Sequence, residues 1–236
     1  MLPSKLLLSL QSAEELQSIQ GLAFPWLDLK NPAAGSLGCP DPGVAEAFLL
    51  EAERQVDRTR CQLSIAIGEL TERAWQPILP ILASFDFAKV ALAGCVQRDD
   101  WRQQVIDLAA ELPERDRLIL VHYADHERAA APDWRSTLET AVLMNSQFLL
   151  IDTFDKRAGR LWDYYTPERI QELAKDASSY GIQLSIAGSL HLDELPWAKK
   201  LGAAVIGVRG AACQDGSRLL GLSHDRLRKL SEIFAN

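Results

Sequence analysis

The chain has 236 residues, of which 47% are hydrophobic and 24% charged, and its formal net charge is −7. This is an ordinary globular composition, and the length is sufficient for one large domain. The negative charge argues against a nucleic-acid partner, because phosphate backbones are bound by concentrated positive patches. Four scattered cysteines without Cys-x-x-Cys spacing favour reduced thiols over a disulfide framework or a zinc site.

The first ten residues, MLPSKLLLSL, contain a short apolar run that a signal peptide could also have. Polar QSAEELQ follows where a cleavage region should lie, so we predict a first buried strand instead. No stretch approaches the roughly 18 apolar residues that span a bilayer. We therefore expect a cytoplasmic protein with no membrane partner.

Short apolar runs alternate with helix-patterned segments along the whole chain. The predicted strands, in chain order, are Lys5–Leu10, Trp26–Lys30, Gln62–Ile67, Phe87–Leu92, Leu118–Tyr123, Phe148–Asp152, Gln183–Ala187 and Val205–Val208. The predicted helices between and after them include Val44–Val56, Trp101–Leu112, Pro167–Tyr180 and His224–Phe234. This alternation predicts an α/β fold, a single (β/α)8 TIM-barrel domain over residues 1–236. A doubly wound open sheet is the alternative, but it usually has a glycine-rich turn after the first strand, and LLLSLQSAEE has none.

Two predicted strands carry charges in positions where a buried parallel strand is normally apolar. In WLDLK, Asp28 and Lys30 are two residues apart and share one face, while Leu27 and Leu29 share the other. The leucines suit the helix layer, so the aspartate and the lysine should face the barrel axis. The same alternation in FAKVALAG turns Lys89 inward.

A further pair of charges follows the sixth strand, where Asp152 ends FLLID and Lys156 lies in the next loop. Barrel enzymes place their chemistry at this C-terminal face. A structural ion-pair layer made by Asp28, Lys30, Lys89 and Asp152 is the alternative, but charges gathered from three strands favour a site. A lysine near another cation and an apolar wall loses proton affinity, so its amine can attack a carbonyl while a neighbouring carboxylate moves protons.

Small residues follow the last two strands, in IAGSL and GVRGAAC. Barrels often bind phosphate with these two loops, through backbone N–H groups that glycine lets approach closely. Simple tight turns are the alternative. The candidate phosphate- or substrate-binding residues are Gly188, Ser189, Gly207, Arg209, Gly210 and Ala211.

Five segments, LDLKNPAAGSLG, AKVALAG, LIDTFDK, IAGSL and GVRGAAC, together resemble the (5-formylfuran-3-yl)methyl phosphate synthase family. They run in the same order from Asp28 to Cys213, which covers most of the chain. The resemblance implies a TIM-barrel lyase that condenses two molecules of glyceraldehyde 3-phosphate with loss of phosphate and water. Its product is 4-(hydroxymethyl)-2-furancarboxaldehyde phosphate, the furan precursor of methanofuran-type cofactors of one-carbon metabolism.

By this resemblance, Lys30 in DLKNP takes the place of the Schiff-base lysine. The other positions that match catalytic residues of the family are Lys89 (the proton acceptor), Lys156, Asp28 and Asp152. The segment HYADHER resembles the family's YAD segment and adds Tyr123 and Asp125 as substrate-binding candidates near the end of the fifth strand.

Two other functions remain compatible with the same residues. A Schiff-base aldolase or isomerase of another sugar phosphate would use the same lysine and phosphate loops, and a non-catalytic phosphate-binding barrel could serve as a regulatory or scaffold subunit. The family scheme requires no metal or organic cofactor, and no metal-ligand spacing is visible, since HYADH lacks a third ligand. We expect the partners to be a phosphorylated small molecule and a second copy of the chain in a homo-oligomer.

Overall fold

Eight parallel strands close into a barrel in a computed structural model that describes residues 3–235. The strands are β1 (Lys5–Leu10), β2 (Trp26–Leu29), β3 (Gln62–Glu69), β4 (Phe87–Ala91), β5 (Leu118–Tyr123), β6 (Phe148–Asp152), β7 (Gln183–Ile186) and β8 (Val205–Val208). Each strand pairs with the next, and β8 pairs with β1. This closure confirms the predicted TIM barrel and is incompatible with a doubly wound open sheet.

The helices lie outside this barrel. They are α1 (Glu14–Gln17), α2 (Pro42–Gln55), α3 (Trp101–Glu111), α4 (Trp134–Leu143), α5 (Leu161–Tyr164), α6 (Pro167–Ser179), α7 (Leu195–Ala198) and α8 (His224–Phe234). A 3₁₀ helix, Gln76–Ser84, connects β3 to β4. No helix within residues 3–235 is long and apolar enough to cross a membrane.

The predicted boundaries agree with the structure to within two residues. The largest strand difference is in β3, which continues to Glu69 through an irregular register with β4. Helix α2 begins at Pro42 rather than Val44, because proline is favoured in the first turn, where its missing N–H has no partner to lose. Residues 1, 2 and 236 of the predicted domain lie outside the described residues.

The buried side chains form two layers that follow the strand alternation. Leu27 and Leu29 point outward into the core between strands and helices, whereas Trp26 points into the barrel. Asp28 is fully buried between Trp26 and Lys30 on the inward face. The alternation of β2 therefore fixes which of its residues can reach the inside of the barrel.

Candidate active site

The first feature of the site is a buried ion pair between Asp28 of β2 and Lys89 of β4. Lys89 Nζ lies 2.6 Å from Asp28 Oδ1, and both side chains are almost completely buried. Asp28 is in register with Ser9 on β1 and with Ser64 on β3. Ser9 Oγ donates to Oδ2 at 3.0 Å and Ser64 Oγ to Oδ1 at 2.7 Å. These three donors satisfy the carboxylate, which makes a buried charge tolerable.

A second lysine–carboxylate pair lies at the end of β6. Lys156 Nζ donates to Asp152 and, at 3.0 Å, to Thr153 Oγ1. Asp152 also accepts from Ser36 Oγ at 3.1 Å and from the backbone N–H of Thr153 at 2.8 Å. Burial opposes ionisation of Asp152, but the charges of Lys156 and Lys30 outweigh it and lower the pKa of this carboxyl group. Burial lowers the pKa of Lys156, and Asp152 works against that effect.

Lys30 is the third amine and differs from the other two in having no carboxylate partner among the described residues. Its backbone N–H donates to Leu10 at 2.9 Å, which continues the β1–β2 pairing and anchors the residue. Within residues 3–235 no acidic side chain lies in salt-bridge distance of its amine, although the residue is only 9% exposed. Burial lowers the pKa of Lys30 to about 7, and the nearby Arg218 and Lys89 add to this effect against the opposing charges of Asp152 and Asp28. A substantial fraction of Lys30 is therefore a free amine near neutral pH.

Ten of the thirteen predicted site residues line one cavity of about 1060 Å³ at the C-terminal end of the barrel. This volume is at the upper end of the ~300–1,000 Å³ that is usual for ligand pockets. The predicted residues that line it are Lys30, Lys89, Asp152, Lys156, Gly188, Ser189, Gly207, Arg209, Gly210 and Ala211. Asp28 lies beneath them and reaches the cavity only through Lys89.

The turn after β7 has the close backbone approach that its glycine predicts. Gly188 has φ +113°, and a Cβ atom at this position would lie 3.0 Å from the Cβ of Leu161. Ser189 follows with φ +55°, in the left-handed region. The turn therefore requires glycine at residue 188 and places the backbone of both residues against the cavity.

Tyr123 and Asp125 do not line this cavity. The fully buried Tyr123 hydroxyl donates to Glu69 Oε1 at 2.6 Å, and burial and the charge of Glu69 raise the pKa of Tyr123 well above its ordinary value. Asp125 accepts from the backbone N–H groups of Phe154 and Asp155 at 2.7 and 3.0 Å. The Asp125 contacts hold the loop that carries Lys156, and the Tyr123 hydroxyl is paired with Glu69, so neither side chain faces the cavity.

Arg209 lines the cavity, but its guanidinium is turned into the protein. It forms two hydrogen bonds with Glu15, at 2.6 and 2.9 Å, and donates to the carbonyls of Ser9, Arg218 and Leu220. A guanidinium has five N–H donors, and these contacts use all of them. The guanidinium of this predicted phosphate-binding residue is therefore committed to Glu15 and to three backbone carbonyls.

Four further residues define the site and were not predicted from the sequence. Ser9 and Ser64 flank Asp28, Ser36 contacts Asp152, and Arg218 lines the cavity beside Lys30. The two strand serines carried a signal, because each interrupts an apolar run at an inward position, in LLLSL and QLSIAI. Ser36 and Arg218 lie in loops, where no periodicity indicates the direction of a side chain.

The two histidines beside Asp125 have no role in the cavity. His122 lies on the outer face of β5, where its Nε2 is 2.8 Å from the Tyr165 hydroxyl and its ring is 5.5 Å from that of His126. No group of three or more His, Cys, Asp or Glu residues could hold a metal ion in the described part of the chain.

The fold and the cavity define the class of protein as a TIM barrel with a buried lysine–carboxylate site at its C-terminal face. A family model described as 4-HFC-P synthase matches residues 6–231, and the chain belongs to this family. The (5-formylfuran-3-yl)methyl phosphate synthase of Methanopyrus kandleri is 31% identical over 242 residues, which cover 100% of both chains. The Methanocaldococcus jannaschii protein of the same name is 26% identical over 88% of this chain and 89% of its own.

Solved structures agree with this fold at much lower sequence identity. A 3-hexulose-6-phosphate synthase has a TM-score of 0.64 and 13% identity over 98% of this chain and 99% of its own. A phosphoribosyl anthranilate isomerase from Thermotoga maritima has a TM-score of 0.60 and 12% identity over 98% of each chain. Similarity at this level supports the TIM-barrel architecture alone.

Proposed function

We propose that this protein is a lyase that condenses two molecules of glyceraldehyde 3-phosphate into (5-formylfuran-3-yl)methyl phosphate through a Schiff base on Lys30. The observation that carries the proposal is the environment of the Lys30 amine, which is buried, has no carboxylate partner within residues 3–235, and shares one cavity with Lys89 and Lys156, each of them paired with a carboxylate. Such an amine is a nucleophile near neutral pH. The product would serve the biosynthesis of a methanofuran-type cofactor.

The connectivity of this product determines which carbons must join. The ring carbon that bears the phosphomethyl group is bonded to three carbons, so it is the central carbon of one triose phosphate and the acceptor of the new bond. The acceptor is therefore the ketone isomer. The other triose supplies the formyl group and has lost its phosphate, so the carbon that carried this phosphate is the nucleophile.

Lys30 can activate the second of these trioses. Its free amine adds to the aldehyde, water leaves, and the protonated imine acidifies the adjacent C–H bond. Loss of that proton and expulsion of phosphate from the next carbon give an enol that attacks the ketone. Ring closure, dehydration and hydrolysis of the imine release the furan aldehyde. Overall, two triose phosphates give one furan phosphate, one inorganic phosphate and two water molecules.

The two ion pairs suit the proton transfers of this scheme. Lys89, fixed by Asp28, lies at the floor of the cavity and can exchange protons during isomerisation. Lys156, fixed by Asp152, lies at the wall and can protonate or hold the leaving phosphate. The backbone of Gly188, Ser189 and Gly210 is available for phosphate oxygens.

Product analysis tests the reaction. Purified protein incubated with glyceraldehyde 3-phosphate should release one inorganic phosphate for each furan aldehyde, which absorbs strongly in the near ultraviolet. A product without this absorbance and without phosphate release would identify an aldolase or isomerase instead. No turnover at all would favour a non-catalytic phosphate-binding barrel.

Borohydride trapping tests the covalent step separately. Reduction in the presence of substrate should add the mass of the bound triose to the peptide that contains Lys30. Lys175→Ala, which removes an exposed lysine from α6, is the matched control and should be trapped like the natural protein. Undiminished trapping in Lys30→Ala would assign the Schiff base to another lysine.

A further inference from the structure

Arg218 connects two loops at the mouth of the cavity. It lies in the loop of residues 217–220, which we call the Arg218 loop, after β8. Its Nη2 atom donates to the carbonyls of Pro32 and Gly35 at 3.2 and 2.6 Å. These carbonyls belong to the loop that follows Lys30, and Arg218 itself lines the cavity. The Nη2 end of the guanidinium therefore connects the two loops.

The rest of the Arg218 guanidinium has no partner in the part of the chain that the structure describes. Its Nε atom is shielded from solvent and makes no hydrogen bond within residues 3–235, and Nη1 makes none in the same range. An N–H group without a partner in a shielded position is costly, so a ligand that accepts from it gains affinity. Arg218 thus differs from Arg209, whose five donors are all used.

The Arg218 loop is held in place by neighbouring groups. Arg209 Nε donates to the Arg218 carbonyl at 3.1 Å, and Arg209 Nη2 donates to the Leu220 carbonyl at 3.2 Å. A Cβ atom at Gly210 would lie 2.8 Å from the Gly216 carbonyl oxygen, so only glycine allows this close approach. The pair of Arg209 and Glu15 therefore positions Arg218 in advance of any ligand.

The charges around Arg218 favour an anion. Its positive charge contributes to the lowered pKa values of Lys30 and Lys156, and Asp152 is the principal opposing charge on Arg218 itself. Lys156 is already paired with Asp152. The Arg218 guanidinium is thus an additional positive charge at this wall of the cavity, without an anionic partner of its own within residues 3–235.

We propose that Arg218 binds the phosphate group of a substrate through its unpaired N–H groups while Nη2 continues to hold the loop after β2. Each of these N–H groups can donate a charge-assisted hydrogen bond to a phosphate oxygen, and arginine keeps its charge at every working pH. The role of a phosphorylated substrate rests on the proposed function, whereas binding of the phosphate anion itself does not. Arg209 is then a positioning residue for the Arg218 loop and not a ligand of the phosphate.

Calorimetric titration with inorganic phosphate tests this proposal without turnover. Arg218→Met should weaken phosphate binding by at least ~10-fold, because charge-assisted hydrogen bonds contribute about 1.5–3 kcal/mol. Arg218→Lys keeps the charge but loses the guanidinium N–H groups and should bind with an intermediate affinity. Arg169→Met, which removes a surface arginine from α6 and makes the same change in net charge, should bind like the natural protein. Circular dichroism identifies which variants are folded. If Arg218→Met is unfolded, the phosphate affinity of Arg218→Lys tests the proposal.

Trapping with unphosphorylated glyceraldehyde separates anion binding from a purely structural clasp. At pH 9, where the Lys30 amine is free, Arg218→Met should be trapped by borohydride as efficiently as the natural protein. Equal phosphate affinity in the Arg218 variants and the natural protein, or no phosphate binding by the natural protein, would overturn the proposal. Arg218→Met that loses trapping to the same extent as phosphate binding would also overturn the proposal, because the arginine would then have only a structural role. If the protein binds phosphate through Arg218 but makes no furan, only the proposed reaction fails.

Discussion

The two ends of the barrel interior are built by the same strands from opposite kinds of residue. At the N-terminal end, β2, β4, β6 and β8 contribute the apolar side chains Trp26, Phe87, Phe148 and Val205. The three aromatic rings have centroids 5.0–5.3 Å apart. Further along β2, β4 and β6, at the C-terminal end, the inward side chains are charged: Asp28, Lys30, Lys89 and Asp152. We call these sets the aromatic layer and the charged layer.

This contrast shows how one strand can contribute to both stability and chemistry. The aromatic layer removes apolar surface from water and allows close packing, which favours the folded state. The charged layer removes ions from water and recovers that cost only where pairs and hydrogen bonds form. Lys30 forms no such pair within the described residues, so we expect it to destabilise the fold in exchange for a reactive amine.

The largest effect should follow from Lys30→Met. We expect activity to fall by more than ~10⁴-fold, beyond the loss of a general base, because the covalent step disappears. The free energy of unfolding at pH 7 should rise by about 2–4 kcal/mol, because the folded state no longer holds an amine whose pKa is depressed from 10.5 to about 7. Steady-state kinetics and urea unfolding measure the two changes.

The size of this stability gain depends on pH. Between pH 7 and about 10.5 the unfolded chain binds a proton at Lys30 that the folded chain does not, so the natural protein gains stability as pH rises. The advantage of Lys30→Met should therefore be largest at or below pH 7 and vanish above about pH 10.5. A Lys30→Met variant less stable than the natural protein at pH 7 would show that Lys30 belongs with the structural residues.

Phe87→Ala, in the aromatic layer, should have the opposite effect to Lys30→Met, because it should lower stability and leave activity nearly unchanged. Removing this buried ring should cost about 3–5 kcal/mol of unfolding free energy through lost burial and a cavity. The kcat of the folded fraction should stay within a few-fold of the natural value, because Lys89 is held by Asp28 independently of the ring. Measurement of kcat at a temperature where the variant is fully folded tests this. A large loss of kcat would mean that the two layers are not separable.

Lys89→Met tests the paired part of the charged layer. We expect the free energy of unfolding to fall by about 3 kcal/mol. This is the lower end for a broken buried ion pair, because Ser9 and Ser64 still donate to Asp28. The double variant Asp28→Leu/Lys89→Met should recover much of this stability while remaining inactive. Unfolding curves of the two single variants and the double variant give the coupling energy. If the loss of unfolding free energy in the double variant equals the sum of the losses in the single variants, Asp28 and Lys89 do not stabilise each other.

A further effect concerns acid and lies outside both layers, at His122. Burial, together with nearby His126, lowers the pKa of His122 to about 3, from an ordinary value of 6.5. The unfolded chain therefore takes up a proton there between pH 6.5 and 3, and stability should fall by about 1.4 kcal/mol per pH unit in that window. His122→Gln should flatten this dependence, as measured by urea unfolding at pH 4–7. Because the pKa of Asp152 is already lowered, its contribution to acid sensitivity begins only below about pH 4.

The sequence predicted the architecture well because the relevant signal is local. Parallel strands that are covered on both faces read as apolar runs, and Thr166 with Pro167 has the expected form of a helix start, in which the threonine side chain accepts from the Arg169 N–H. The extension of β3 to Glu69 was missed, because the irregular register with β4 breaks the alternation on which the prediction depends.

The candidate site was predictable where strands carry it and less so where loops do. Alternation alone predicted that Asp28, Lys30 and Lys89 point inward. In the structure, the strand register places Asp28 and Lys89 close enough to pair. The partners of an arginine, in contrast, depend on tertiary contacts that no local pattern encodes. Arg209 and Arg218 both follow β8, yet one is buried against Glu15 and the other faces the cavity.

The pH dependence of Schiff-base formation on Lys30 tests the central claim most directly. Borohydride trapping with unphosphorylated glyceraldehyde, quantified by mass spectrometry from pH 5 to 11, should rise with a midpoint near pH 7, because the depressed pKa of Lys30 leaves the amine free above it. A midpoint near pH 10, where an ordinary lysine titrates, would contradict the claim that burial in the charged layer activates this amine.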